Sequence, residues 1–385
     1  MKNSILLFFL FFCYKNITAQ DSIPAVKRFF FSGYLKSLEN LSIDKLNKTS
    51  TIGNLLHNRL NLKWKPSGNI SFVAEFRNRL FWGEQVKQVP DFATQLRNDN
   101  EGLNLQKAWI SRDNLVLHSN TERLYVDLKK DAWTARIGRQ RVNWGIATTW
   151  NPNDIYNAYN FLDVDYEERP GADAVNIQHT FSGSSHLEFV YSTASNHKNI
   201  AAARYFVNKW NYDMQFISGI YNGAATAGLG WAGNIKEAGF KGELQYYFPD
   251  KDSASQMNIT LGIDYMFKKG WYVSLGTLYN SRGLNSRVSS PMLVNLNLTA
   301  KNLMPAKYNF MITGRKEITP LSAASFSVLY SPGLNLLVLL PGISYSLSSQ
   351  LDADLIWQSF YLQTGEKLQG VHDIGYLRLK WSFGL

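Results

Sequence analysis

The stretch "MNITLGIDYMF" at residues 257–267 sorts its side chains by position. Met257, Ile259, Leu261, Ile263, Tyr265 and Phe267 are apolar, and Asn258, Thr260, Gly262 and Asp264 fall between them. Successive side chains of a strand point to opposite faces, so a strand with this pattern meets two different media. The polar set asks for water. The apolar set faces either a protein core or the hydrocarbon of a bilayer.

The same period of two recurs along the chain. Leu56, Leu60, Leu62 and Trp64 alternate with His57, Arg59, Asn61, Lys63 and Lys65, and Ile70, Phe72, Ala74 and Phe76 with Ser71, Glu75, Arg77 and Arg79. Leu124, Val126 and Leu128 oppose Arg123, Tyr125, Asp127 and Lys129. Segments 240–248 and 351–358 repeat the pattern, and no helical periodicity competes with it. Short turns at 65–68, 129–131, 182–185, 210–213, 236–237, 268–270, 317–320 and 348–350 alternate with links that are often longer. Those links are 41–52, 83–121, 143–171, 195–199, 223–226, 249–255, 283–306, 331–333 and 363–373. Eight turns and nine loops predict about eighteen strands, within a range of 16–18, with both termini on one side. The extended-looking "LNLQKAWIS" (103–111) is assigned to the second long loop, because counting it would make the total odd.

A soluble β-sandwich would also alternate. Its strands run about five or six residues, whereas these run roughly nine to twelve, the length that crosses a tilted bilayer path. No Pro/Ser linker divides the 385 residues into domains. Aromatics make up 14% of the chain, and Trp64, Trp82, Trp133, Trp210, Trp271, Tyr308, Tyr330, Trp357 and Trp381 stand near strand ends, as interfacial girdles would. The mean hydropathy of −0.23 does not oppose this, since alternation averages the apolar positions away. Sequons at Asn69 and Asn258 lie inside strands, which argues against a glycosylated extracellular protein. The reading is lipid outside and water within.

The N-terminus fits export. Lys2, the apolar run Ile5–Phe12 and the small residue Ala19 lay out a cleaved signal peptide over 1–19, leaving 20–385 as the barrel. Lipidation at Cys13 is the rival reading, but Phe11 and Phe12 stand where small residues belong. Cys13 is the only cysteine, so a chain cleaved after residue 19 has no disulfide. Cleavage removes Lys2 and Lys15 from the 40 Lys and Arg and nothing from the 30 Asp and Glu, for a net charge of +8. The longest later apolar run, "LNLLVLLPG", stops at Pro341, so helical spans are excluded.

The last strand, "DIGYLRLKWSFGL", sets Leu377, Leu379, Trp381 and Phe383 against Tyr376, Arg378, Lys380 and Ser382. With the leader and the turn-and-loop rhythm, it resembles a Gram-negative outer-membrane β-barrel of the porin type. The stretches "GRQRVNWG" (138–145) and "NPND" (151–154) resemble a motif of uncharacterised porin-like families. The resemblance implies an outer-membrane location, lipid contact, small hydrophilic solutes and recognition of the last strand by the barrel-assembly machinery. The oligomeric state is left open.

Alternation directs a basic wall into the lumen, with Arg59, Lys63, Arg77, Arg79, Arg123 and Arg136 as its members. Such a wall either favours anions or is paired off by wall acids such as Glu188, Glu243 and Asp264. Arg139 and Arg141 break the phase. A bulge at Gly138 would turn them inward, or else they sit above the membrane, and both readings put them near the pore mouth. Loop 143–171 is rich in aromatics, and long ordered loops usually have a function. In the porin resemblance such a loop narrows the lumen, so Asp163, Asp165, Glu167 and Glu168, with Tyr166 among them, are expected to face the basic wall across a constriction. The alternative is a surface cap. Calcium binding lacks a matching spacing.

No nucleophile elbow, metal-spaced histidine pair, phosphate loop or dinucleotide fingerprint appears, and no element marks nucleic-acid reading. Neither cofactor nor metal is expected, and the protein is not read as an enzyme. The favoured function is passive diffusion of small hydrophilic solutes with an anion preference. The runner-up is a loop-plugged barrel that scaffolds a surface or secretion complex.

Overall fold

The structure is a computed structural model that describes residues 28–98, 101–157, 162–165, 170–194, 199–251, 254–291, 294 and 298–384. The expected leader, with Cys13, lies outside the described residues, as do Tyr166, Glu167 and Glu168.

The first strands are β1 (Phe29–Asp44), β2 (Thr49–Trp64), β3 (Ile70–Gly83), β4 (Gln106–Arg112), β5 (Leu115–Lys130), β6 (Trp133–Gln140) and β7 (Ala172–Thr180). They continue as β8 (His186–Thr193), β9 (Asn199–Lys209), β10 (Tyr212–Tyr221), β11 (Ala224–Ile235), β12 (Ala238–Tyr247) and β13 (Gln256–Met266). The last are β14 (Trp271–Asn280), β15 (Tyr308–Thr319), β16 (Ser322–Ser331), β17 (Leu336–Ser348), β18 (Leu351–Thr364) and β19 (Lys367–Gly384). Two short helices, α1 (Glu84–Gln88) and α2 (Phe92–Gln95), lie between β3 and β4.

Every strand pair is antiparallel. The sheet closes where β1 pairs with β19, from Ser32 opposite Gly384 to Asp44 opposite His372. β4 pairs with β5 alone, so the closed wall has eighteen strands and β4 belongs to the β3–β5 loop. The eight short turns fall at one end, with the start of β1 and the end of β19. At Trp210 and Asn211 both residues have positive φ (57° and 62°), the turn whose twist matches its flanking strands. The loops expected at 41–52 and 363–373 are shorter than expected. β1 and β2 run on until only 45–48 remain, and β18 and β19 leave 365–366, because the ladder continues past the lipid band.

Exposure answers the question raised by residues 257–267. Asn258 and Thr260 are 0% and 2% exposed, while Leu261 and Ile263 are 42% and 48% exposed. The polar face is the inner one and the apolar face the outer one, the reverse of a soluble protein. Around the outside, Trp64, Trp133, Trp271 and Trp381 girdle the short-turn end, and Phe248, Tyr308 and Tyr330 the long-loop end.

The interior is not uniformly polar. Near the long-loop end, Leu278, Leu329, Leu336, Val338 and Leu362 of the wall pack with Trp150, Leu303 and Met304 from two infolded loops. A second cluster joins Val190, Ile217 and Tyr247 of the wall to Val142, Trp144 and Ile155. A third sets Leu38, Leu55, Phe81 and Val116 beneath α1 and α2. An eighteen-stranded lumen is too wide for wall side chains to fill, and the loops supply the missing volume.

Leu261 tests the orientation. Leu261→Arg puts a charge on the outer face and is expected to cost about 2–4 kcal/mol near the membrane centre. The measurement is the urea midpoint of reversible folding into lipid vesicles.

Candidate functional site

The described parts of the loop joining β6 to β7 (141–157, 162–165 and 170–171) lie inside the barrel and are held from opposite walls. On one side the fully buried Glu243 carboxylate of β12 collects loop donors. The Ile146 and Ala147 N–H groups each donate at 2.6 Å, Asn153 N–H at 2.8 Å and the Asn151 side-chain amide at 3.1 Å. Nearby, Trp144 Nε1 donates to Glu188 of β8 at 2.8 Å, and Gln215 of β10 donates to the Trp144 carbonyl at 2.6 Å. Arg204 of β9 pairs with the same Glu188 at 2.6 Å.

On the far side Asp165 is the hub. Its Oδ1 lies 3.0 Å from Lys36 Nζ and 2.7 Å from His57 Nδ1, and its Oδ2 accepts from Arg77 Nη2 at 2.7 Å. Lys36 also donates to the Asp165 carbonyl at 2.6 Å, and Gln358 of β18 to the Leu162 carbonyl at 2.9 Å. Burial pushes the Asp165 carboxyl up. The His57 hydrogen bond and the charges of Arg77 and Lys36 outweigh it, and hold the group well below the usual carboxylate range.

This geometry corrects the expected constriction. Asp165 does not face the basic wall across a gap; it touches it, because burial makes contact pairing the lower-energy arrangement for both signs. Asp163 accepts the Asp165 backbone N–H at 3.0 Å. The wall cations are largely engaged as well. Arg59 pairs with Glu75, and Arg136 with Asp127 at 2.5 Å. Arg77 also faces Glu122 at 3.6 Å, and Arg123 donates to the Glu122 carbonyl at 2.7 Å. Arg79 lies over the Phe81 ring at 5.4 Å, and Arg141 reaches Asn143 at 3.0 Å.

Arg139 is fully buried in the wall. Neither ladder of β6 shifts register at Gly138, so Arg139 stays opposite Leu124, whose side chain faces outward. Gly138 instead has φ +120°, and a Cβ there would lie 2.2 Å from the Leu124 carbonyl oxygen. The Arg139 guanidinium seals the seam where β6 turns away and residues 101–105 take over beside β5. It pairs with Glu101 at 2.7 Å and Asp173 at 2.9 Å, and it donates to the carbonyls of Leu103 and Thr121.

Lys63 sits elsewhere, in a cavity of about 660 Å³ at the short-turn end with Arg28, Lys65 and Lys129. Asp127 lines the same cavity but is held by Arg136. Sequence reading missed Lys36 and His57 as site residues and did not foresee Glu243 as an anchor. Lys36 was legible as an inward position between Tyr34 and Leu38; its partner was not. Among the described residues no group of three His, Cys, Asp or Glu is placed to hold a metal ion.

Two outcomes test the anchors. Glu243→Ala orphans the Ile146, Ala147 and Asn153 amides at about 1–3 kcal/mol per buried donor. Faster hydrogen exchange at those amides, with the barrel intact, is the expected reading. The lowered Asp165 value means its ion pairs are complete above the ordinary carboxylate range and fail only as pH falls through that value. Hydrogen-exchange protection of the Asp165 amide should therefore hold from neutral pH to about pH 4 and fall only on further acidification. A loss near pH 5 would assign the clamp to another group.

No family model matches the sequence, and no curated protein does. Solved structures do. Acinetobacter baumannii OccAB4 superposes with a TM-score of 0.61 at 9% identity, over 93% of this chain and 99% of that one. The outer membrane protein OpdK of Pseudomonas aeruginosa, solved also with vanillate, gives 0.59 at 9% identity over 93% and 99%. Pseudomonas aeruginosa OpdQ gives 0.57 at 10% identity over 94% and 100%. At such identities the likeness is one of fold, that of a closed outer-membrane barrel.

Proposed function

We propose that the protein is a porin-like channel of the Gram-negative outer membrane, made as a precursor with a cleaved leader over 1–19. It passes small hydrophilic solutes by diffusion through a narrowed lumen. The observation that carries this reading is the β6–β7 loop held inside a polar-walled, apolar-skinned barrel, which narrows the barrel at a fixed place. The likeness to OpdK and OccAB4 supports it, and the vanillate complex shows an aromatic carboxylate bound to OpdK.

The anion preference is assigned to Lys63 of the expected basic wall, with Lys65 and Lys129 beside it, and not to its arginines. Arg59, Arg77 and Arg136 are neutralised by carboxylates at contact distance. Lys63, Lys65 and Lys129 have no carboxylate partner among the described residues, and they share one open cavity at the short-turn mouth. Fixed positive charge at a mouth concentrates anions there. The scaffold reading also has an observation behind it, since Trp144, Trp150 and Met304 are almost fully buried inside the barrel by two loops.

A planar bilayer separates the two. Stable current steps whose reversal potential favours chloride support the channel, and silence from heat-modifiable, folded protein supports the scaffold. In a conducting protein, the Lys63→Gln, Lys129→Gln double variant is expected to lower the chloride-to-potassium permeability ratio about twofold. An unchanged ratio would remove the short-turn mouth from selectivity.

A further inference from the structure

One row of the outer wall is polar. Asn58 of β2 stands opposite Asn78 of β3, Asn78 opposite Ser119 of β5, and Ser119 opposite Lys107 of β4. His57, Arg59, Arg77 and His118, their sequence neighbours, are buried inside the barrel. Successive side chains alternate, so Asn58, Asn78 and Ser119 point outward, toward lipid. They form one chain of hydrogen bonds across the outer face. Trp109 Nε1 donates to Ser119 Oγ at 3.0 Å, and Ser119 Oγ to Asn78 Oδ1 at 2.6 Å. Asn78 Nδ2 donates to Asn58 Oδ1 at 3.3 Å, and Asn58 Nδ2 to the Tyr34 carbonyl at 3.2 Å. Each of the two amide nitrogens keeps a second N–H to give.

Strand register gives the height of this row. On β2 and β3 the short-turn girdle is the pair Trp64 and Phe72. The same ladder row runs on through Val126 to Ile137, which stands well above Trp133, the girdle residue of β6. Rows therefore climb toward the long-loop end from β2 to β6, as tilted strands require. Asn58 lies about 15 Å above Trp64 along the membrane normal, inside the apolar band. Along β5, from Lys130 opposite Trp133 up to Ser119, the rise is about 25 Å, the height of that whole band. Lys107 beside Ser119, and Arg112 further up β4, thus stand at the level of the outer headgroups.

An outer groove of about 1020 Å³ joins the two levels, from Ile110 and Leu117 down to Phe76 and Leu60, with Asn78 and Ser119 in its floor. Trp109 forms its upper rim, 60% exposed, with Lys107 Nζ 4.2 Å from the ring centre. Lys107 and Arg112 are exposed, and among the described residues neither pairs with a carboxylate, Asp113 included.

We propose that this groove binds a phosphorylated acyl lipid of the outer leaflet, with its phosphate on Lys107 and Arg112 and an acyl chain along Leu117, Phe76 and Leu60. The vertical order of the chemistry decides the occupant. Cations stand at headgroup height and apolar side chains below them. The amides lie between, where the ester, amide or hydroxyl groups at the root of an acyl chain fall. A bare hydrocarbon chain would leave both cations and the spare amide N–H groups unanswered. The site is on the outside of the barrel and is independent of conduction.

The test is native mass spectrometry of the delipidated protein in detergent, titrated with diphosphoryl lipid A and, as the uncharged probe, its dephosphorylated form. The wild type is expected to take up a single lipid and to hold the diphosphoryl form about tenfold more tightly. Lys107→Gln with Arg112→Gln removes that difference. Lys87→Gln with Lys367→Gln, which deletes two exposed cations of the same end outside the groove, keeps it. Thr121→Trp fills the groove and weakens both forms. Heat-modifiable mobility confirms that each variant holds a folded barrel. Equal binding of the two forms by the wild type overturns the proposal, as does a difference lost in the Lys87 and Lys367 pair. Unchanged binding by Thr121→Trp, or displacement of the lipid by inorganic pyrophosphate, overturns the seat of the acyl chain and the proposal with it. A lipid-free complex of two chains that Thr121→Trp dissolves gives the groove to a second copy instead.

Discussion

Hydrocarbon offers no hydrogen bonds, so every backbone N–H and C=O that crosses it must find its partner within the sheet. Eighteen strands satisfy this only by closing, and the pairing of β1 with β19 is the joint that removes the last edge. Closure dictates the rest. Side chains outside must be apolar, as Leu261 and Ile263 are, and those inside face a space that no set of wall side chains can fill. The chain returns its own loops into that space, which is why the buried clusters of this protein lie in the middle of the ring.

A loop brought inside carries its backbone polar groups with it, and each needs a partner. Glu243 meets that need in one place by accepting four donors from the loop. The lumen's charges obey the same rule. Half-enclosed Arg and Lys side chains are costly unless paired, so the wall places Glu75 beside Arg59 and Asp127 beside Arg136. Pairing at mid-depth leaves the unpaired positive charge to Lys63, Lys65 and Lys129 at the short-turn end, where water replaces the missing carboxylates. The apolar long-loop end, the paired middle and the basic short-turn mouth are thus successive consequences of how much water reaches each level.

Much of the architecture was legible because a barrel strand reports its surroundings locally. Thr260 and Leu261 differ in polarity because they differ in solvent, and that shows in a window of ten residues. The eight tight turns were legible for the same reason, and residues 103–111 fell within a loop as expected. Long-range partnerships leave no such mark. Nothing near Lys36 announces Asp165, and nothing near Glu243 announces the amides of Ile146 and Ala147. Arg139 misled because Gly138 admits a positive φ without a register shift, so a phase break in sequence became a buried seam in the wall. Leu278, Leu329 and Val338 face inward although apolar, which period two cannot reveal when a distant loop is what covers them.

The two anchors of the β6–β7 loop have opposite chemistry. At Glu243 the wall supplies the carboxylate and the loop supplies neutral donors in a fully enclosed site, where geometry is exacting and water is absent. A donor set of that kind is lost only by unfolding the loop, since each amide would be left buried and unsatisfied. At Asp165 the loop supplies the carboxylate and the wall supplies two permanent cations and a histidine, with a little of the acid still exposed. Charge attracts charge with little regard for direction, so the Asp165 pairs ask less of exact geometry than the Glu243 set does. The loop is therefore held by geometry at its Trp144 side and by charge at its Asp165 side.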